Sequence, residues 1–281
     1  MSGHHEDVAT VRVATCQFSV SADIDANLGW VGRQMRTAVK GGADVAHFPE
    51  GALSGYAGTD FDSFESFDWD RLVRATEHLQ ALAAQLGIWV VVGSAHRLGA
   101  PHKPHNSVYV IDAAGEIVDR YDKRFCSHTE ITRFFSPGFD PVVFEVDGFR
   151  FGCAICIEIN FPDLFSQYGE LGVDCLLLSA YPVDEVFEAK ARTHASINTY
   201  WVAMALPSQT AHLMNSGVIG PDGRYLAQLD GGEGVVYADL NRADFTMWFE
   251  KARPWRKEAV AGEIYRSRAV DDPRSTNRTC I

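Results

Sequence analysis

Three short stretches place a reactive side chain where an apolar run stops. They are His47-Phe48-Pro49-Glu50, Tyr121-Asp122-Lys123, and Gly152-Cys153-Ala154-Ile155-Cys156-Ile157-Glu158, the last followed by Asn160-Phe161-Pro162-Asp163. A carboxylate, an amine and a thiol suit nucleophilic chemistry: a thiol attacks, a base takes its proton, and a fixed cation meets the negative charge that develops. A free thiol has a pKa near ~8.5, so at neutral pH it needs such help. Each stretch alone has an ordinary explanation. A carboxylate after a strand is commonly solvated or a cap, a lysine there is commonly at the surface, and a cysteine in an apolar strand packs as a small core residue. The three together, in this order, make the pattern specific.

Cys153 and Cys156 form a C-x-x-C pair, which elsewhere marks a redox couple or half of a zinc site, here with Cys126 and His128 as further ligands. In a strand, residues three apart point to opposite faces, so both sulfurs do not easily meet one partner. The pattern predicts that Cys153 packs inward while Cys156, at the strand exit, faces a pocket.

The elements that must position these groups alternate. Val8–Phe18, Val45–Phe48 and Ile88–Gly93 read as strands, with helices between them over Asp23–Gly41 and Trp69–Leu86. Ser107–Ile111 with Ile117–Tyr121, and Val142–Val146 with Phe149–Cys156, read as hairpins, the second turning at Asp147-Gly148. Pro162–Tyr168 and Val186–Asn198 read as helices, and Cys175–Leu178, Trp201–Leu206, Ser216–Ile219 and Val235–Leu240 as strands, with a turn at Pro221-Asp222-Gly223. Strands alternating with helices, with hairpins mixed in, exclude a purely parallel barrel and favour an α/β fold of mixed sheets covered by helices. No linker, low-complexity tract or fixed-period repeat interrupts residues 1–281, so a single domain is expected, with a loose N-terminal tail over residues 1–7 and an extended C-terminal arm from about residue 241 to 281.

A chain of 281 residues can bury a large core without disulfides. The formal net charge of -12 argues against a nucleic-acid partner, which needs a basic face. No apolar run approaches the ~20 residues of a membrane span, so no membrane partner is expected. Six cysteines, at 16, 126, 153, 156, 175 and 280, mostly in apolar runs, together with the lack of an apolar leader, read as a cytoplasmic protein with reduced thiols. His4 and His5 form only a pair in the tail and are assigned no metal.

On Phe48-Pro49-Glu50 with Ser54-Gly55-Tyr56, on Tyr121-Asp122-Lys123, on Phe135-Ser136-Pro137-Gly138 and on Gly152-x-x-x-Cys156-x-Glu158-x-x-Phe161-Pro162, the chain resembles the nitrilase superfamily, the carbon–nitrogen hydrolases with a Glu-Lys-Cys triad. Order and rough spacing match from about Val11 to Asp239. The resemblance implies a four-layer αββα sandwich with two mixed sheets that assembles as a homodimer or higher homo-oligomer through a helical face. It implies Glu50 as general base, Lys123 as oxyanion stabiliser and Cys156 as nucleophile. It also implies a second glutamate between the lysine and the cysteine, best matched by Glu130 despite a short gap (130 − 123 = 7). No cofactor and no metal are required by that chemistry. The expected reaction is hydrolysis of a non-peptide C–N bond in a small linear amide or carbamoyl compound through a cysteine thioester, with ammonia or an amine released. The alternatives are nitrile hydrolysis by the same triad and a catalytically silent binding or scaffold protein.

Tyr56, Phe125, Ile157, Asn160, Phe161 and Tyr181 are candidate substrate contacts, with Phe134 as a further pocket wall and the Ile157 N–H as a second oxyanion donor. Two segments depart from the family. Arg124-Phe125-Cys126-Ser127-His128 lacks the commoner His-Leu after the lysine, and His194-Ala195-Ser196-Ile197-Asn198 lacks a local ion pair before its asparagine. His128 reads as a pocket-wall or surface residue.

Overall fold

The computed structural model describes residues 10–262, 272–276 and 279. The expected tail with His4 and His5, the first residues of the expected strand from Val8, and Cys280 lie outside the described residues.

The first half builds one sheet. Strands β1 (Thr10–Gln17), β2 (Val45–His47) and β3 (Trp89–His96) run parallel, joined through helices α1 (Ile24–Lys40) and α2 (Trp69–Leu86). Asp23 caps α1 by accepting from the N–H groups of Asp25 and Ala26, and Gly87, at φ 65, closes α2 in the left-handed region. Strands β4 (His105–Ile111) and β5 (Ile117–Asp122) add antiparallel.

The second half repeats the pattern. Strands β6 (Val143–Val146) and β7 (Phe149–Ile155) form a hairpin, and β7, β8 (Cys175–Ser179) and β9 (Trp201–Ala205) run parallel through helices α3 (Pro162–Glu170) and α4 (Val186–Asn198). Strands β10 (Gly217–Ile219) and β11 (Tyr225–Gln228) add antiparallel, and β12 (Gly234–Asn241) returns to pair antiparallel with β1. Each sheet has six strands, in the orders β12-β1-β2-β3-β4-β5 and β11-β10-β9-β8-β7-β6.

Apolar stripes set the layers. Val31, Met35 and Ala38 of α1 and Leu72, Leu79 and Leu82 of α2 pack on the first sheet. Leu164 and Phe165 of α3 and Phe187, Ala191 and Ala195 of α4 pack on the second. The free faces of the sheets meet in the middle, where Trp89 of β3 stacks on Phe144 of β6 at 5.6 Å. Strands buried on both faces read as continuous apolar runs, as Cys175–Ser179 does. The result is the four-layer αββα sandwich. It brings the carboxyl ends of β2, β5, β7 and β8 to one place, the usual position for a site in such sheets.

Three features were not legible in the sequence pattern. β11 is a separate strand where the sequence shows only a turn and a gap. A π-helical turn spans Glu130–Phe134. Residues 242–260 form helical turns (Arg242–Phe245, Met247–Ala252 and Arg253–Val260) where periodicity is weak. The described residues divide into two compact units between Asn241 and Arg242. No helix among the described residues is long and apolar enough to cross a membrane.

Candidate active site

Glu50 sits in a tight turn after β2. Phe48 N–H donates to Val91 O and Leu53 N–H to Gly93 O, which fastens the turn to β3. Gly93 permits this approach, because a Cβ there would collide with Pro49 O and Gly51 N. The beginning of the turn is tied across the sandwich. Ser179 Oγ donates to Phe48 O at 2.8 Å and meets His47 Nε2 at 2.9 Å. Since the serine proton goes to Phe48, His47 is the donor in the second bond, which requires the Nε2–H tautomer. Burial lowers the His47 pKa to about 3, so the ring stays neutral.

Lys123 follows β5. Its N–H donates to Asn106 O, and its O accepts from Gly138 N–H. Gly138, of the Phe-Ser-Pro-Gly segment, lies so close to Asp122 that a Cβ would collide with the Asp122 carbonyl. The wholly buried Lys123 ammonium donates to Glu50 Oε1 at 2.8 Å and to Glu130 Oε1 at 2.7 Å. The π-helical turn brings Glu130 back over the short gap, and Ser127 N–H holds its other oxygen at 2.7 Å. Asn106, which the sequence did not single out, joins the group. Its Nδ2 donates to Glu50 Oε1 at 2.7 Å and to Glu130 Oε1 at 3.1 Å. Glu50 Oε2 is buried and has no hydrogen-bond partner.

Cys156 corrects one expectation. The sequence places it as the last residue of a strand, but β7 stops at Ile155, and Cys156 adopts φ +46 at the start of a 3-10 turn over Cys156–Asn160. A non-glycine residue there is uncommon and costs roughly 1–2 kcal/mol. The kink turns the side chain out of the strand's alternation. It is half-buried, and its Sγ contacts Tyr181 O at 3.4 Å. Cys153 lies wholly inside β7, and burial pushes its thiol far up. His128 is exposed.

Glu158 holds the lysine and cysteine ends together. Its carboxylate, wholly buried, accepts from the N–H groups of Arg124 (2.7 Å), Phe125 (3.1 Å) and Ile155 (2.7 Å) and from Tyr121 Oη (2.8 Å). Glu158→Ala would strand four donors, two of them, the Ile155 N–H and the Tyr121 hydroxyl, wholly buried and each costing ~1–3 kcal/mol when unsatisfied. It should destabilise the fold by about 3 kcal/mol or more, and Glu158→Gln, which keeps an acceptor oxygen, by less. Denaturant midpoints of the two variants check this.

The electrostatics separate the two carboxylates at the lysine. Burial raises the Glu50 pKa and Glu130 raises it further, and Lys123 and Asn106 offset this only in part. For Glu130 burial also works upward, but Lys123, Ser127 N–H and Asn106 win and hold it below its ordinary value. Burial pulls the Lys123 ammonium down, but Glu50, Tyr56 and Glu130 hold it well above its ordinary value. Burial, then Glu50, push the Cys156 thiol well up, against Lys123. At rest the site therefore holds a neutral thiol, a fixed ammonium, a firmly ionised Glu130 and a more basic Glu50. Two carboxylates whose environments drive their pKa values apart suit different tasks.

The expected substrate contacts divide. Tyr56 stacks on Tyr181 at 5.7 Å and on Phe135 at 6.4 Å, with Lys123 Nζ 5.9 Å from its ring. Ile157 is half-buried next to the thiol, and its N–H lies in the first turn of a helix, where such groups lack intrahelical acceptors. Phe125 and Phe161 stack on each other at 4.2 Å, both partly exposed. Asn160 is exposed and gives its amide to Ile157 O at 3.1 Å. Phe134 belongs to the core of the first sheet. In the segment that lacks an ion pair, His194 Nε2 bonds Ile159 O at 2.9 Å and its ring stacks on Phe165 at 3.8 Å, so α4 is fastened directly behind the cysteine turn.

Residues 12–249 match the family model of the carbon–nitrogen hydrolases. An omega-amidase of Bos taurus is 27% identical over 254 residues, covering 83% of this chain and 90% of that one. A 2-oxoglutaramate amidase of Bacillus subtilis is 27% identical over 207 residues, covering 71% and 78%. Among solved structures, an amidase from Nesterenkonia sp. superposes with a TM-score of 0.73 at 21% identity, covering 86% of this chain and 94% of that one. A mutant of that amidase carries the acetamide moiety of fluoroacetamide on its active-site cysteine and superposes with a TM-score of 0.74 at 22% identity, covering 90% of this chain and all of that one.

Proposed function

The chain belongs to the carbon–nitrogen hydrolase family, and from that premise we propose that it hydrolyses the C–N bond of a small linear amide through a thioester on Cys156. One observation carries the assignment of roles: a buried glutamate oxygen without a partner, Glu50 Oε2, in a cluster whose other carboxylate is committed to Lys123. Glu50 takes the thiol proton as Sγ attacks the carbonyl carbon. The oxygen gains negative charge, which the Lys123 ammonium and the Ile157 N–H stabilise. As the C–N bond breaks, protonated Glu50 gives its proton to the leaving nitrogen, and ammonia or an amine departs. Water then loses a proton to Glu50 and attacks the thioester. The acid is released, and the proton returns to sulfur. Glu130 keeps its charge throughout and anchors the lysine.

The omega-amidase and 2-oxoglutaramate amidase relatives support a linear amide as the substrate. Tyr56 and Tyr181 form an aromatic wall beside the thiol, and Phe125 and Phe161 an apolar rim. The reading extends to a cytoplasmic location and to a homodimer or higher homo-oligomer, and exposed Val186 and Ile197 on α4 support the assembly.

Limiting iodoacetamide followed by peptide mapping tests the nucleophile. Cys156 should label first, because Glu50 takes its proton as it attacks, ahead of buried Cys16, Cys153 and Cys175 and of half-buried Cys126, whose Sγ lies against the Lys123 carbonyl. Faster labelling of any of these four would overturn the assignment. A panel of amides and nitriles, with ammonia and residual nitrile measured, tests the bond cleaved. A nitrile consumed in preference to every amide would overturn amide hydrolysis.

A further inference from the structure

Asn106 lies on β4 between His105 and Ser107, which point to the opposite face and bond Ser136 O and Asp122 Oδ1. Its side chain alone turns to the catalytic cluster, where it is almost wholly buried. One nitrogen, Nδ2, donates at 2.7 Å to Glu50 Oε1 and at 3.1 Å to Glu130 Oε1, the same two oxygens that Lys123 holds. Like the ammonium, the amide thus spans both carboxylates. With Oε1 of Glu50 taken by two donors, only Oε2 remains to accept a proton.

We propose that Asn106 is a positioning residue that fixes the rotation of Glu50 and keeps it ionised, so that Oε2 is presented to the Cys156 thiol as a base. The proposal rests on the roles given above to Glu50 and Cys156. The charged and titratable groups that face Glu50 among the described residues are Lys123, Glu130, Tyr56, Cys156, Tyr181 and Cys126. Asn106 is a donor in this set that carries no charge, so it stabilises the carboxylate without pulling the ammonium away. Its removal favours the protonated form of Glu50. The base is then lost at a higher pH, and the acid limb of the rate profile moves upward.

Asn106→Leu keeps the shape and removes the donors, and the backbone bond from Lys123 N–H to residue 106 O survives. Asn106→Ser, smaller and still polar, carries the test if the leucine variant does not fold. Two profiles against pH are measured: kcat/KM for an amide, and the rate of Cys156 alkylation by iodoacetamide. Losing a hydrogen bond to a charged group predicts a fall of roughly 10- to 100-fold in kcat/KM near neutral pH. Both acid limbs should rise by about one pH unit, a macroscopic value that belongs to the coupled cluster. A folded variant with both limbs unmoved would overturn the proposal, even if its rate fell. If the alkylation limb moves but the wild-type protein cleaves no amide, the positioning role stands and the reading of the substrate fails.

Discussion

Cys156→Ala is expected to lose amide turnover by about 10⁴-fold or more, the scale on which a nucleophile's removal is felt, whereas Cys153→Ala should stay within a few-fold of the wild-type rate. The two cysteines are three residues apart and differ in one backbone angle and in burial. Cys153 is a wholly buried strand residue, and Cys156 stands at φ +46 beyond the strand end. The angle adds a second outcome. Alanine at positive φ keeps the strain of the elbow, and glycine relieves it, so Cys156→Gly should be more stable than Cys156→Ala by about 1 kcal/mol while equally inactive. A stability difference of the opposite sign would mean that the turn is not strained. A Cys156→Ala protein that keeps more than about one per cent of the wild-type rate would remove the nucleophile from the mechanism. Steady-state assays and thermal melts of the three variants read both.

Much of this site was legible because three of its members close apolar runs. Periodicity located α2 to the residue, the reading of Val186–Asn198 as a helix matches α4, and motif order pointed to Glu50, Lys123 and Cys156. What was missed depends on geometry that residue type does not encode. Asn106 is one polar residue in a strand, and its partners Glu50 and Glu130 lie 56 and 24 residues away. The kink at Cys156 was invisible because alternation of side chains reports faces and not the sign of φ. Glu130 looked too near Lys123 until the π-helical turn folded it back. Strand β11 has four residues at a sheet edge with alternating partial exposure, too short and too mixed for a period to show. The 3-10 turn after Cys156 directs the Asn160 amide to Ile157 O, a local bond that residue type alone does not announce.

Lys123→Met separates catalysis from architecture. The ammonium sits between two buried carboxylates, so its loss acts on both rate and stability. An interaction made only with the oxyanion appears in kcat more than in substrate binding. Removing one such donor costs ~10²–10³ in rate, so at least about a hundredfold fall in kcat is expected, with a smaller change in KM. Stability also falls. Breaking a buried pair by removing one partner costs about 3–5 kcal/mol at a pH where the survivor stays charged. The pH dependence has a definite sign. Without the ammonium, Glu50 and Glu130 face each other, and the folded protein holds a proton on the pair at a pH where the unfolded chain, with glutamate near ~4.3, has released it. The folded state then binds more protons than the unfolded one, so the variant loses stability as pH rises from about 4.3 and regains it as pH falls toward that value. Lys123→Arg should rescue stability better than rate, because a guanidinium can pair with both carboxylates while its planar fork does not reproduce a compact point charge. Kinetics at a pH where melting curves show each variant folded, together with melts from pH 5 to pH 8, decide the matter. A surface lysine would give neither effect. Near-normal kcat in a folded Lys123→Met protein would remove the lysine from the mechanism and leave Glu50 and Cys156 to carry it.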